Sequence, residues 1–465
     1  MSETTNAAAP PIGAVGLARW FWRQLTSMRT ALLLLFLLAL GSVPGSLIPQ
    51  RGLNPVEVTE FVERNPGLAE WYERLGLFDV FGSVWFGAIY LLLMISLLGC
   101  ILPRTVQHVR TMRARPPAAP RRLERMPEHR TWTTHRSPRE MIDAARAVLR
   151  DRRYRVVDDG DSVAAERGYL REVGNLVFHI ALVLVLVGVA VGNLMGFKGT
   201  ALIVEGNGFA NTITQYDGYE SGRWFSPSRL PPFALTVEKF DVRFETEGEH
   251  RGAAREFDAL IEYSPSPDEP PRDYHLRINH PLTIGGAELH LVGHGYAPRF
   301  TVRDGTGTVV FAGAVPFLPQ DGNFSSSGVV KVPDAEPDQL GFQGFFLPTA
   351  VIDPKLGPIS AFPDALNQRV FLTVYKGDLG LDDGTPQSVY KLELDGLEQL
   401  RGSDGEPFRV QLAPGEGTTL PGGGSITFDG FDRWVNLQVS SNPGTPLALT
   451  GAVLALGGLL LSLVV

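Results

Sequence analysis

Four stretches of the chain are apolar for too long to be the one-sided faces of soluble helices. They read ALLLLFLLALGSVPGSLI from Ala31 to Ile48, VFGSVWFGAIYLLLMISLLGCIL from Val80 to Leu102, VGNLVFHIALVLVLVGVAVGNLM from Val173 to Met195, and PLALTGAVLALGGLLLSLVV from Pro446 to Val465. Crossing ~30 Å of hydrocarbon at about 1.5 Å per residue takes about 20 apolar residues. The pattern therefore predicts four transmembrane helices, over 30–48, 80–102, 173–195 and 446–465. A buried core helix would be shorter and keep a polar stripe. A signal peptide is the other reading of the first run. That run is longer than the usual apolar stretch of about 7–15 residues, and Pro49-Gln50-Arg51 follows it instead of a small-residue cleavage pattern. The first run is therefore read as a retained helix, with Pro44 and Gly45 bending or ending it.

The intervening segments have their own periods. Ser137-Pro138-Arg139-Glu140 opens an apolar-periodic stretch through Met141, Ile142, Ala145, Val148 and Leu149, which predicts a capped helix. Tyr154–Val157 and Ser162–Glu166, separated by Asp158-Asp159-Gly160-Asp161, predict a hairpin. A small helix–hairpin unit thus sits within 103–172, after a Pro/Ala/Arg linker from Met112 to Arg122 that cannot be a continuous helix. The region 196–445 predicts a β-rich, sandwich-like domain. Its candidate strands are Phe233–Phe244, Phe257–Tyr263, Ala287–Val292, Phe300–Val302, Val309–Phe311, Phe371–Tyr375, Val389–Leu394 and Ser425–Phe428. Turns such as Asp304–Gly307 and Leu381–Gly384 separate them, and residues 313–365, rich in Pro and Gly, predict long loops.

Charge gives the pattern a direction. The 465 residues carry 42 basic and 50 acidic side chains, a net −8, yet the distribution is steep. Arg19, Arg23 and Arg29 precede the first run, beside Trp20 and Trp22, which fit an interfacial anchor. The loop 49–79 holds three basic and six acidic residues, Arg104–Glu172 holds 17 Arg against 10 acidic residues, and Gly196–Thr445 holds 19 basic against 33 acidic. The positive-inside rule places residues 1–29 and the Arg-rich loop in the cytoplasm and the acidic β-rich domain outside. The loop arginines then meet lipid headgroups. A pI of 5.7 argues against nucleic-acid binding, and one Cys excludes a disulfide within the chain. The fourth run ends at Val465 without Lys or Arg, so a basic tail beyond it is expected.

Candidate chemistry is sparse. His179 lies in the third run, roughly 10 Å from its cytoplasmic edge. An ionisable residue at membrane depth is a functional candidate. A neutral imidazole there can ligate haem iron, or it can simply hydrogen-bond between helices. Cys100, at the end of the second run, can ligate haem or serve as a small packing residue. His275, His280, His290 and His294 cluster in the β-rich region. If Leu289–Gly295 is a strand, His290 and His294 share a face but stand ~13 Å apart, so they do not chelate one ion. These four read as surface or loop histidines. No CxxCH, CxxC, P-loop, dinucleotide fingerprint or Gly-x-Ser-x-Gly elbow is present, and the seven Trp are scattered.

Several stretches together resemble the ResB (CcsB) family of cytochrome c biogenesis proteins. They are Ser27-Met28-Arg29-Thr30-Ala31 and Gly45-Ser46-Leu47-Ile48-Pro49-Gln50 around the first run, Leu98-Gly99-Cys100-Ile101-Leu102-Pro103-Arg104 leaving the second, and Arg171-Glu172-Val173-Gly174-Asn175-Leu176-Val177-Phe178-His179 entering the third. Ile278-Asn279-His280-Pro281-Leu282 and Gly328-Val329-Val330-Lys331-Val332 add to the likeness in the β-rich region.

The resemblance implies a place in the System II pathway, in a bacterial cytoplasmic membrane. It implies a ResC/CcsA-type partner carrying a Trp-rich haem loop, with which members export haem and support its thioether attachment to apocytochrome c. His179 would ligate transient b-type haem, with Cys100 matching a family position loosely. The chain would have no catalytic activity alone, only as part of a haem-attachment complex, and a thiol reductase is a further partner the pathway implies. The rival readings are a membrane-anchored sensor or binding module and a subunit of a small-solute transporter.

Overall fold

A computed structural model of the chain describes residues 13–52, 55–120, 122–381 and 388–464. The first twelve residues and nearly all of the expected turn at Leu381–Gly384 lie outside the described residues. The chain divides into two compact units. One comprises the residues up to Met195 together with Pro443–Val465; the other is Gly196–Asn442.

The first unit is helical. Helix α1 (Ala14–Leu25) exposes Trp20, Phe21 and Trp22, and a corner leads into α2 (Met28–Leu47), where the Ser27 hydroxyl accepts the Thr30 N–H at 3.2 Å. Pro44 stays inside α2, which stops three residues later. Gly45 is buried there because a Cβ would meet the Phe81 ring at 2.8 Å. The following loop folds into α3 (Pro55–Arg64) and α4 (Pro66–Arg74), closed by a Phe61–Tyr72–Phe78 cluster.

Helix α5 (Val84–Arg113) is 30 residues long, about 45 Å. It begins four residues inside the second apolar run, where the Ser83 hydroxyl caps it, and continues eleven residues past Leu102. Pro103 costs one hydrogen bond and does not end the helix. Arg110 and Arg113 suit its negative C-terminal pole, and the Arg155 guanidinium donates to the Met112 carbonyl at 2.9 Å and to the Ala114 carbonyl. Helix α6 (Pro138–Asp151) has the expected reciprocal cap between Ser137 and Glu140. The hairpin Arg155–Asp158 with Val163–Glu166 follows, and Arg146 pairs with Asp158 to hold helix and hairpin together.

Helices α7 (Tyr169–Met195) and α8 (Thr445–Val464) pack antiparallel through small residues at seven-residue spacing. Gly174 faces Gly458, Ala181 faces Gly451, and Gly188 faces Gly444 and Ala448. A Cβ on Gly174 would stand 2.5 Å from the Ser462 nitrogen, and one on Gly451 would stand 2.9 Å from the Ala181 carbonyl oxygen. Small residues let backbones approach where lipid supplies no hydrophobic drive between helices.

The second unit consists mainly of seven-, six- and four-stranded antiparallel sheets, in keeping with the β-rich expectation. Its first strand, Phe197–Val204, pairs with its last, Ser425–Ser441, which pairs in turn with Ala287–Arg303. These two long strands, 17 residues each, serve two cores. Leu289, Val435 and Leu437 meet Val237, Phe240 and Ile261 of the four-stranded sheet. Tyr296, Phe300, Ile426 and Phe428 meet Phe342, Val370 and Leu372 of the six-stranded sheet.

Three readings need correction. Ala287–Val292 and Phe300–Val302 are one continuous strand. Residues 313–365 contain strands Ser326–Val332, Leu340–Leu347, Ala350–Asp353 and Gly357–Ser360, in place of long loops. Their glycines are packing residues: a Cβ on Gly344 would lie 2.8 Å from the Leu372 Cα on the neighbouring strand. Val389–Leu394 is not a strand; Leu392 is buried beside Val329 and Leu379 without joining a ladder.

Candidate functional site

Four polar side chains of the helical unit, Tyr90, His108, Glu172 and His179, fall along one seam. On α7, Glu172, His179 and Leu186 recur every seven residues, which is one face at about 3.6 residues per turn. On α5, Tyr90 and His108 are about five turns apart on one face. The two faces meet at both ends. The Tyr90 hydroxyl donates to the Leu186 carbonyl, and His108 Nδ1 lies 2.9 Å from Glu172 Oε2. His179 therefore sits midway along the stripe that α7 turns toward α5.

His179 is half-buried, and its Nδ1 lies 2.8 Å from the Asn175 carbonyl oxygen one turn earlier. A carbonyl can only accept, so Nδ1 carries the proton and the lone pair is on Nε2. That nitrogen has no hydrogen-bond partner among the described residues. This is the tautomer a haem-ligating imidazole needs, and oxygens behind the ring commonly fix it in this way. The donor set fits a haem iron.

Cys100 belongs to a different face. Its thiol donates to the Thr26 carbonyl at 2.8 Å, and nearby the Ser96 hydroxyl donates to the Leu25 carbonyl at 2.6 Å. Gly99 lies against the Thr26 side chain. These three small residues seat the α1–α2 corner on α5, so Cys100 and His179 are not brought together.

The four histidines of the β unit separate as well. His275 and His280 are exposed. His275 Nδ1 lies 2.7 Å from Asp258, whose second oxygen takes Arg277 at 2.7 Å; together these partners hold the Asp258 carboxyl below its ordinary range, against the opposing effect of burial. His290 lies 3.3 Å from Glu288 at the surface. His294 corrects two expectations. A bulge between Leu291 and Gly293 shifts the register, so His290 and His294 do not share a face. His294 is instead packed among Phe240, Phe244, Phe257 and Phe324, with ring centroids 4.7 to 6.3 Å away. Burial first, and the Arg433 guanidinium second, push its pKa down to about 4. No three His, Cys, Asp or Glu side chains are grouped to hold a metal ion among the described residues.

His108 does not stand out in the sequence, because it lies beyond the apolar run among polar residues. Its side chain is only 10% exposed. The signal that could have found it is the five-turn spacing from Tyr90 on a helix that ignores Pro103.

Four membrane-length helices, one with a lone imidazole inside its apolar run, and a large β unit between the third and fourth define a multi-pass membrane protein with a polar seam. The chain belongs to the ResB-like family, whose model matches residues 28–465. It is 25% identical over 450 residues to a protein named cytochrome c biogenesis protein CcsB from Thermosynechococcus vestitus, covering 95% of this chain and 86% of the relative. The protein of that name from Synechococcus elongatus is 25% identical over 462 residues, covering 96% and 84%. A third, from Synechococcus sp. strain JA-3-3Ab, is 28% identical over 283 residues, covering 59% of this chain and 56% of that protein. The resemblance read from the motifs is thereby borne out.

Proposed function

We propose that this ResB-family protein acts in cytochrome c biogenesis as the subunit that takes haem from the cytoplasmic side and holds it at His179 for a partner. The oriented imidazole carries this reading. His179 Nδ1 is committed to the Asn175 carbonyl at 2.8 Å, which presents the Nε2 lone pair within an otherwise apolar span. The protein lies in a bacterial cytoplasmic membrane, with the N-terminus and the Arg-rich segment inside and the β unit outside. Its partner is a ResC/CcsA-type membrane protein whose Trp-rich loop and own imidazole complete haem handling. The haem is b-type and transient, cargo that passes through.

Attachment adds each cysteine S–H of apocytochrome c across a haem vinyl double bond, so no oxidant is consumed. The substrate thiols must arrive reduced, which is where a thiol reductase serves. The β unit contains no cysteine, so its own fold is indifferent to that redox control. This chain supplies ligation and positioning, and bond formation belongs to the assembled complex.

The experiment is purification after co-expression with the partner. A haem absorption band is expected that falls at least tenfold in His179→Ala, together with loss of cytochrome c maturation. An unchanged band with normal maturation would remove His179 from the pathway.

A further inference from the structure

We propose that His108 is a second haem-iron ligand, one that receives haem at the Arg-rich end of the α5–α7 seam before it reaches His179. This rests on the haem-handling reading above. His108 lies on the part of α5 that continues beyond Pro103, and Glu172 reaches it from the start of the apolar part of α7. A carboxylate only accepts, so the 2.9 Å contact to Glu172 Oε2 places the proton on His108 Nδ1. Nε2, which carries the lone pair in the neutral ring, is buried and has no hydrogen-bond partner among the described residues. Leaving a buried acceptor unsatisfied is costly, and such groups in native structures call for an explanation.

A simple strut between α5 and α7 does not provide one. The Nδ1–Glu172 bond would tie the helices together equally well with Nε2 turned to solvent or paired. A carboxylate that orients an imidazole while raising the basicity of its far nitrogen is the arrangement found behind metal-ligating histidines. His179 repeats it with a backbone carbonyl in place of the carboxylate.

The spacing supports a relay. Glu172 and His179 are two turns apart on one face of α7, about 10 Å along the axis. Iron held near Glu172 by His108 would lie on the path to His179 along the same seam. The cargo also carries two carboxylates. Arg104, one turn before His108 on α5, makes no ion pair among the described residues, while Arg110 and Arg113 lie two and five residues beyond His108. Guanidinium groups suit propionates, and their place beyond the apolar run keeps those charges out of hydrocarbon.

The test is titration of the purified full-length protein in detergent with ferric haem, read by absorption and magnetic circular dichroism. His179→Ala is expected to retain a weaker bound population with an imidazole signature, and His108→Ala/His179→Ala to lose it. Glu172→Gln keeps a hydrogen-bond acceptor for Nδ1 but removes the charge. It is expected to weaken haem about tenfold in the His179→Ala background, within the range for lost partners behind a ligating imidazole. His108→Gly in that background should regain the signal on adding imidazole. The proposal is overturned if the double variant binds no worse than His179→Ala, or if Glu172→Gln and imidazole change nothing. If wild type and all variants alike bind no haem, the haem-handling reading itself falls.

Discussion

Along the α5–α7 seam, His108 and His179 each commit Nδ1 to an oxygen and keep a lone pair on Nε2, whereas at the junction of the two β cores His294 is surrounded by four phenylalanines. His108 and His294 are largely withdrawn from solvent and His179 is half-buried, so burial alone does not separate the seam from the cage. The difference lies in the oxygen behind the ring. A carbonyl or carboxylate at Nδ1 fixes the tautomer and leaves a directed donor for iron. An aromatic cage fixes only the neutral state. The β unit packs its histidine as a core residue, stacked 4.7 Å from Phe324, while each of the two helical histidines has an oxygen behind Nδ1 that sets the direction of Nε2. Buried histidine is therefore a weak functional sign by itself; its second nitrogen carries the information.

The comparison fails first if α7 is not held in place, and its close backbone approach to α8 is the packing that a single substitution can disrupt. Gly451→Leu should therefore give the largest effect. Its new side chain starts 2.9 Å from the Ala181 carbonyl oxygen, a backbone atom that cannot move aside alone. Overpacking costs about 1–3 kcal/mol and more where nothing yields, so a loss at or above the top of that range is expected. Thermal melting of the full chain in detergent checks it, and a shift under a degree would mean the helices do not need this approach. Haem retention at His179 should fall with the melting temperature.

The next effect tests the aromatic cage. His294 titrates near 6.5 when unfolded and at about 4 when folded, so the unfolded chain binds more protons between those values. Stability is undiminished above pH 6.5 and is lost as pH falls toward 4. Between pH 7 and 5 the loss from this one group is about 2 kcal/mol. His294→Phe keeps the ring and removes the proton site, so its melting temperature should fall less over that interval. Parallel pH profiles for the two proteins would show that the cage does not hold the imidazole neutral.

These cases also show what a one-dimensional reading can and cannot reach. The four apolar runs are visible because a bilayer demands composition, and composition survives without knowledge of partners. The Ser137–Glu140 cap is visible because both halves are local. His294 escapes a simple alternation because a single bulged residue near Val292 inverts the pattern downstream, and nothing nearby announces it. The strands within 313–365 are hidden because Gly328, Gly341 and Gly344, which read as loop residues, are required for close packing. His108 is hidden because its partner lies 64 residues away on another helix. His179 is conspicuous as a lone imidazole in an apolar run, but its orientation comes only from the carbonyl behind it. The seven-residue spacing of Gly174, Ala181 and Gly188 is open to inspection, yet it becomes meaningful only beside Gly444, Gly451 and Gly458.

The smallest effect separates a packing thiol from an aimed one. Cys100 gives its proton to the Thr26 carbonyl, in a row with Ser96 and Gly99 that seats the α1–α2 corner. The thiol is thus engaged on a face of α5 that Tyr90 and His108 do not share. Cys100→Ser offers a hydroxyl to the same carbonyl and should melt within about 0.5 kcal/mol of the parent, as changes without a named disruption usually do. Cys100→Ala removes a weak donor and should cost under about 1 kcal/mol. Both variants should retain haem as the parent does, because the imidazoles proposed to hold it lie along the other face. A drop in the haem band in both variants, with melting unchanged, would give sulfur a ligand role. It would also redraw the comparison, with α5 aiming groups from two faces instead of one.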